Sequence, residues 1–320
     1  MPLLEALIGK DVFTFTHHER AVEYYNTLVP ESDHLSLEAS RKTLKQRELS
    51  AVQDQHSLDT LTSRFTSLGD KKNAARLLAV SAPGSYAFLT AIPNANLDLQ
   101  FTTDELVVAV RMRLGVPLFK EGVSCPTCRA HDVLDPLGHH AVTCNSENEP
   151  MVRHNIVQDA IYNEMRKVGW SVRKEVNNVF DNRPRMRPGD IFDDEKKIAY
   201  DVAVTSIYSV GLGDRPAWKQ HAAAEAMAKF KHRKYDAHCD ISRIKLQVLA
   251  FETFGGRAAE TSEVIEKLAY ASKDRLGVDE KTALRYINTR ISVLIQRQNA
   301  RAILTRNPLR YVGVDVSGLA

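Results

Sequence analysis

The chain has 320 residues, of which 43% are hydrophobic and 26% charged, and its formal net charge is +3. This composition is that of a folded globular protein and excludes a disordered chain. No stretch has the about 18 uncharged apolar residues of a membrane-spanning helix, and charge appears too early for a secretory signal. We therefore expect an intracellular protein without a membrane partner.

The first 120 residues predict a helical region, because apolar residues recur there at steps of three and four. The clearest helix covers residues 102–114 and should end at Gly115, with Pro117 beyond it. No catalytic cluster is visible in this region. We treat residues 1–120 as one segment of the chain.

Residues 121–150 lose this periodicity and instead carry the chemistry of a metal-binding loop. Cys125 and Cys128 are two residues apart, and His139 and Cys144 follow at a spacing typical of small zinc modules. His140 could replace His139, and His131 is a third choice. Four protein ligands complete a tetrahedron, so we expect a structural zinc ion that stabilises the loop and does not activate water.

Residues 151–275 show regular patterns again, in the order α, β, β, β, α, β, α. The predicted strands include residues 187–194 and 196–208, which form a hairpin that turns at Glu195-Lys196. A symmetric hairpin places Asp190 opposite Asp201, where the two carboxylates could share one magnesium or manganese ion. Asp201 interrupts an otherwise apolar strand, which favours a functional site over ordinary surface aspartates. Glu175 is a weaker candidate for a third acid.

Two basic stretches suit a polyanionic partner, although a solvated helix face would look the same. In the first stretch we single out Lys219, Lys229 and Arg233. Residues 276–320 predict a basic C-terminal helix whose arginines face outward beside an apolar stripe. These arginines are Arg290, Arg297 and Arg301.

Three motifs follow one another: Arg187-Pro188-Gly189-Asp190, Asp201-Val202-Ala203-Val204-Thr205 and Lys231-His232-Arg233-Lys234-Tyr235. Together with the Cys-Cys-His-Cys segment and the Arg153-His154 pair, they resemble the zinc knuckle and restriction-like PD-(D/E)XK endonuclease domain of site-specific non-LTR retrotransposon proteins. The resemblance covers about two fifths of the chain.

The resemblance implies an α+β or α/β fold with a restriction-endonuclease-like core and roles for individual residues. Asp190 and Asp201 would bind the catalytic metal, and Lys231 would orient or activate the attacking water. Lys234 and Tyr235 would lie close to the scissile phosphate. Ala203 stands where the simple motif has its lysine, so that lysine must come from the following helix.

On this basis we expect a divalent-metal-dependent endonuclease that nicks DNA in the nucleus, with RNA as an alternative partner. Arg187 would neutralise phosphate charge or be a plain surface residue. Residues 1–120 would correspond to the link between a polymerase and the knuckle. Two other hypotheses stay open, namely a zinc-containing nucleic-acid-binding protein without catalysis, which Ala203 favours, and a zinc-dependent protein interaction module.

Overall fold

The computed structural model describes residues 15–40, 45–180, 186–187, 189–208 and 219–306. The chain divides into two compact units, Met1–Leu77 and Leu78–Ala320. Residues 121–150, called the zinc segment below, thus belong to the same unit as residues 78–120, residues 151–275 and the C-terminal helix. Whether the predicted boundaries at residues 120, 150 and 275 also separate functional segments stays a prediction.

The first unit is helical where it is described. It contains α1 (Phe15–Leu28), α2 (Leu37–Ser40), α3 (Gln46–Ser67) and the first part of α4 (Lys71–Ser81). Its apolar cluster is small and centres on Tyr25, Val29 and Leu49. The Asn26 side chain closes the turn after α1 with two hydrogen bonds to the backbone of Leu35.

The second unit continues with α5 (Thr103–Leu114), whose ends have the predicted chemistry. Thr102 and Glu105 form a reciprocal capping box, and Gly115 ends the helix in the left-handed conformation. A short helix, α6 (His139–Thr143), lies in the zinc segment, and α7 (Glu149–Lys167) follows it.

A mixed sheet of four strands lies at the centre of the described part of this unit. The strands β1 (Val172–Lys174), β2 (Ile191–Asp193) and β3 (Ile198–Thr205) are antiparallel neighbours, and β4 (Lys245–Glu252) runs parallel to β3. The helix α8 (Ala222–Ile241) lies between β3 and β4 in the chain, and α9 (Ala259–Leu276) follows β4. The order from α7 to α9 is therefore the predicted α, β, β, β, α, β, α.

Apolar side chains cover both faces of the sheet. On one face α7, α9 and the last helix pack against Tyr200, Val202 and Leu249. On the other face α8 packs against alternate residues of the same strands, Ala199 and Val248 among them. Because β3 and β4 are buried on both faces, their sequences are almost continuously apolar. This burial makes the acidic residue within β3 unusual.

The sequence pattern of residues 170–180 predicts the first strand of the sheet, and the structure shows a shorter one. It covers only Val172–Lys174, because Glu175 and Asn178 have positive φ angles of 55° and 59°, which extended structure does not allow. Asp193, the last residue of β2, is buried and accepts hydrogen bonds from the backbone N–H groups of Glu195 and Lys196, whereas the turn residues 195–197 are exposed.

The last helix, α10 (Glu280–Leu304), corrects one prediction. Every residue from 291 to 300 is buried, so α10 is an internal helix of the unit rather than an exposed basic one. Arg290 pairs with Glu164 at 2.7 Å, and Arg297 is buried and pairs with Asp98 at 2.7 Å. The expectation that these two arginines face outward is wrong, because acids from distant segments bind them inside the unit.

Candidate zinc and acidic sites

Four side chains of the zinc segment meet at one point. The ligand atoms of Cys125, Cys128, His140 and Cys144 all lie within 4.8 Å of one another. The two loop cysteines come from a short hairpin in which Ser124 pairs with Val133, and Cys144 ends α6. Three thiols and one imidazole are the ligand set of a structural zinc site. No other group of at least three His, Cys, Asp or Glu side chains that could hold a metal ion occurs among the described residues.

The histidine in this cluster is His140, and the first-choice prediction of His139 is wrong. Both backbone N–H groups donate to the Asp135 carboxylate, which fixes the start of α6. Successive residues of a helix point about 100° apart, so only one of the two can face the cysteines. The His140 ring is the one whose nitrogen lies within 4.8 Å of the three thiols. His139 instead packs against the ring of Tyr208, 3.7 Å between centroids, and the exposed His131 lies outside the cluster.

The electrostatics around Cys125 favour the thiolate, which is the form that binds zinc. Burial raises the pKa of Cys125, but hydrogen bonds from Thr127, Arg306 and the backbone of Cys128 outweigh it and lower the pKa to about 5. Burial and the neighbouring Cys125 raise the pKa of Cys128. The fourth cysteine, Cys239, lies on α8 and is buried in the core between this helix and the sheet.

Arg306 connects this cluster to the end of the last helix. Its side chain is fully buried, with 0% exposure, and its Nε lies 3.3 Å from Cys125 Sγ. Nη1 donates to Glu149 and to the carbonyl of Ala302, both at 2.6 Å, and Nη2 donates to Ser146 at 3.2 Å. The chain thus places a cation directly behind a metal-binding thiolate, which sequence reasoning did not identify.

The two acids of the hairpin face each other as predicted. The pairing of Ile191 with Tyr200 sets the register, and its continuation places Asp190 opposite Asp201. Asp201 is only 5% exposed, while Asp190 is partly buried. Burial and the nearby Asp190 raise the pKa of Asp201, against the opposing effect of Lys231.

Gly189 allows this arrangement because its backbone runs against β3. A Cβ atom at residue 189 would lie 2.7 Å from the carbonyl oxygen of Tyr200, closer than side chains tolerate. The Asp190 backbone N–H donates to that same carbonyl at 2.9 Å, and Asp190 Oδ2 accepts from the N–H of Val202 at 2.7 Å. One oxygen of Asp190 is therefore held by the backbone, which leaves Oδ1 to face the site.

Lys231 reaches the acids from α8. Its Nζ lies 2.8 Å from Asp201 Oδ2. Although burial lowers the pKa of Lys231, the Asp201 carboxylate outweighs it and raises the pKa above its usual value. Tyr235 is buried one turn further, and the exposed Lys234 lies over its ring, 4.6 Å from Nζ to the centroid. The structure thus brings a lysine to the acid pair from the helix after β3, although Ala203 occupies the simple motif position.

Two residues of α7 complete the surroundings and were missed as site residues. His154 Nε2 lies 3.4 Å from Asp190 Oδ1. Gln158, one turn later, donates to Glu175 at 3.0 Å and to the Asp190 carbonyl at 3.1 Å. Their spacing of four residues on a helix that packs against the sheet was the available signal. Arg153 beside them is buried and holds the carbonyl of Val142 in α6 at 3.2 Å.

The remaining predicted residues fall into three sets. Glu175 is near the site through Gln158, but its carboxylate forms an ion pair with the exposed Arg187, which accounts for both side chains. Lys219, Lys229 and Arg233 are exposed. Arg290, Arg297 and Arg301 bind acids of their own unit, and only Arg301 has a largely exposed side chain, at 53%.

Comparison with known proteins adds no family to these observations. No protein-family model matches the sequence, and no curated protein matches it. Within the described residues, no helix combines the length and apolar character needed to cross a bilayer. The chemistry of the two sites is therefore the basis for a functional conclusion.

Proposed function

We propose that this chain is a divalent-metal-dependent DNA endonuclease with a restriction-like catalytic domain and a structural zinc module. The observation that carries the proposal is the meeting of Asp190, Asp201 and Lys231 at one edge of the sheet, with Lys231 Nζ 2.8 Å from Asp201 Oδ2. The order of secondary structure elements supports a relation to the restriction-like nucleases and to retroelement endonucleases.

The acid pair fits a hard cation such as Mg²⁺ or Mn²⁺. Two carboxylates face each other, one of them buried, and their mutual repulsion is unfavourable without a positive charge between them. Mg²⁺ commonly uses one or two carboxylates and keeps several water ligands, so two protein acids are enough. Asp190 and Asp201 would hold the ion.

When bound, such an ion polarises a phosphate oxygen and lowers the pKa of a bound water. The other residues then have separate tasks. Lys231 would balance negative charge on the phosphate and orient the attacking water. His154 lies against the Asp190 carboxylate and Gln158 donates to the Asp190 carbonyl, so both would hold this residue in position. Lys234 and the exposed basic residues of α8 are placed to contact the phosphate backbone.

Nicking of supercoiled plasmid by the purified chain tests the proposal, with Mg²⁺, Mn²⁺ or EDTA present. We expect metal-dependent nicking that Asp190→Asn, Asp201→Asn and Lys231→Met each reduce by at least about 100-fold, since each removes a charge that acts in the transition state. Asp194→Asn is the matched control, because Asp194 lies in the same hairpin but pairs with Arg173 at its exposed turn. Equal nicking by all four variants would exclude this active site.

A second candidate function is nucleic-acid binding without cleavage. The ion pair between Lys231 and Asp201 favours it, because the lysine neutralises the buried acid in the absence of a metal. In that case the wild type would bind DNA in the nicking assay but leave the plasmid intact with either metal ion.

A further inference from the structure

An aromatic side chain stands exposed on the basic helix α8. Phe230 is 52% exposed and directly precedes Lys231 in the chain. A single exposed apolar residue is ordinary by itself. The surroundings of Phe230 are what suggest a ligand, because the exposed side chains next to it and one turn after it on α8 are cations.

Helix geometry defines these neighbours. Side chains four residues apart lie next to each other, so Phe230 is beside Lys234, and Lys229 is beside Arg233 in the adjoining row. All three cations are exposed, and no ion pair joins them to another residue that the structure describes. Lys231 lies on the inner edge of the same helix, against Asp201. The Phe230 ring therefore lies next to Lys231, the candidate catalytic lysine, on the solvent-exposed side of α8.

The patch is too small for a typical protein partner. The other exposed large hydrophobic residue of α8 is Ile241, eleven positions later, or about 16 Å along the helix axis. Protein-binding surfaces need a contiguous apolar area, whereas one ring offers a single planar face. A planar aromatic face with cations beside it suits one nucleobase of a strand whose backbone phosphates contact the cations.

We infer that Phe230 is a base-stacking residue and that the substrate strand presents an unpaired base next to the cleavage site. In an intact duplex each base is stacked on its neighbours and gives no free face to a surface ring. The inference rests on the proposed function in taking a DNA strand as the ligand. It goes further in naming the substrate class, which is single-stranded or locally melted DNA.

The test measures binding of the zinc-loaded protein to a fluorescent single strand and to the matching duplex, without added Mg²⁺ or Mn²⁺ so that cleavage plays no part. We expect Phe230→Ala to raise the Kd for the single strand by about five- to 150-fold, as about 1–3 kcal/mol per stacked base implies, with little change for the duplex. Phe230→Trp should restore single-strand binding. Tyr270→Ala is the matched control, because Tyr270 is an exposed aromatic residue of α9, at 58%, and should leave both Kd values unchanged.

The possible outcomes separate the two proposals. Wild-type affinity of Phe230→Ala for the single strand, or an equal loss for both DNA forms, would overturn the stacking role even if the plasmid is nicked. Loss of self-association in Phe230→Ala with unchanged DNA binding would also overturn it, since the ring would then contact a second copy. A selective single-strand loss in a protein that never nicks would support stacking and refute the endonuclease.

Discussion

Arg306 is the buried cation beside the candidate zinc ligands, and its replacement gives the sharpest test of this structure. We consider Arg306→Met, which keeps a long side chain but removes the guanidinium. The variant loses the hydrogen bonds to Cys125, Glu149, Ser146 and the carbonyl of Ala302. The Glu149 carboxylate, whose side chain is only 14% exposed, is then left without its cation.

Two separate magnitudes follow from this loss. Removing one partner of a buried ion pair lowers the free energy of unfolding by about 3–5 kcal/mol, because an uncompensated charge stays buried. A lost hydrogen bond to a metal ligand weakens zinc binding by about 10- to 100-fold. Since domains are stable by only about 5–15 kcal/mol, the first effect is large but need not unfold the chain.

Zinc affinity is measured by competition with a chromogenic chelator, and stability by urea denaturation of the zinc-loaded protein. Cobalt substitution adds an independent readout, because thiolate-to-cobalt absorption reports directly on the Cys125 sulfur. Arg301→Met is the matched control, since Arg301 lies on the same helix but pairs with Glu105, away from the ligands. The control removes the pair with Glu105, but its zinc affinity and cobalt spectrum should match those of the wild type.

If Arg306→Met binds zinc with wild-type affinity and shows an unchanged cobalt spectrum, the reasoning fails. The arginine would then be a packing residue of α10, and the thiolate of Cys125 would not depend on it. An equal loss of zinc affinity in Arg306→Met and Arg301→Met would likewise show a general effect of stability rather than a contact with the ligand.

Three further predictions concern single residues. Metal analysis should show that His140→Ala no longer binds stoichiometric zinc, whereas His139→Ala still does. His139→Ala should instead lower the free energy of unfolding by about 2 kcal/mol, because the packing against Tyr208 is lost. Zinc loss in His139→Ala but not in His140→Ala would show that His139 is the ligand. Gly189→Ala should lower the free energy of unfolding by about 1–3 kcal/mol and slow any nicking, because its Cβ meets the Tyr200 carbonyl; an unchanged denaturation midpoint would contradict the close approach. Burial raises the pKa of Glu252, so the stability that comes from its protonated form is present at low pH and is lost as pH rises through the folded-state pKa. Urea denaturation at several pH values should thus show Glu252→Gln gaining on the wild type as pH rises, and a constant difference would disprove the burial effect.

Local patterns were enough to predict the order of elements and the hairpin register. Asp190 and Asp201 are eleven residues apart, and their meeting depends only on a symmetric turn between two short strands. The thiol ligands could be predicted equally well, because the spacing of Cys125 and Cys128 reflects one local turn. Features that depend on short-range geometry are therefore visible in a single sequence.

The choice between His139 and His140 lay beyond that limit. The two residues are adjacent, and the rotational phase of a helix of only five residues decides which one faces the cysteines. That phase is set by the Asp135 carboxylate, which accepts hydrogen bonds from both backbone N–H groups. Residue type and spacing are the same for either choice, so the sequence alone could not separate them.

The burial of the last helix was misjudged for a different reason. The arginines of α10 repeat at steps that resemble an exposed basic face, but their partners Asp98, Glu105 and Glu164 come from distant parts of the chain. Pairing over about 100 to 200 positions leaves no periodic signal near the helix. His154 was part of a motif in the sequence but received no role there, since its contact with Asp190 forms only when α7 packs on the sheet.

The central position of α10 also has a consequence for how the protein is made. Residues 280–304 are synthesised after every strand of the sheet, yet they fill the space between α5, α7 and α9. Until they leave the ribosome, the apolar faces that they cover stay open to solvent and to chaperones. Arg306, just beyond this helix, is among the last described residues to arrive and contacts Cys125. The unit can thus close around the cysteines of its candidate zinc site only after nearly its whole described length has been translated.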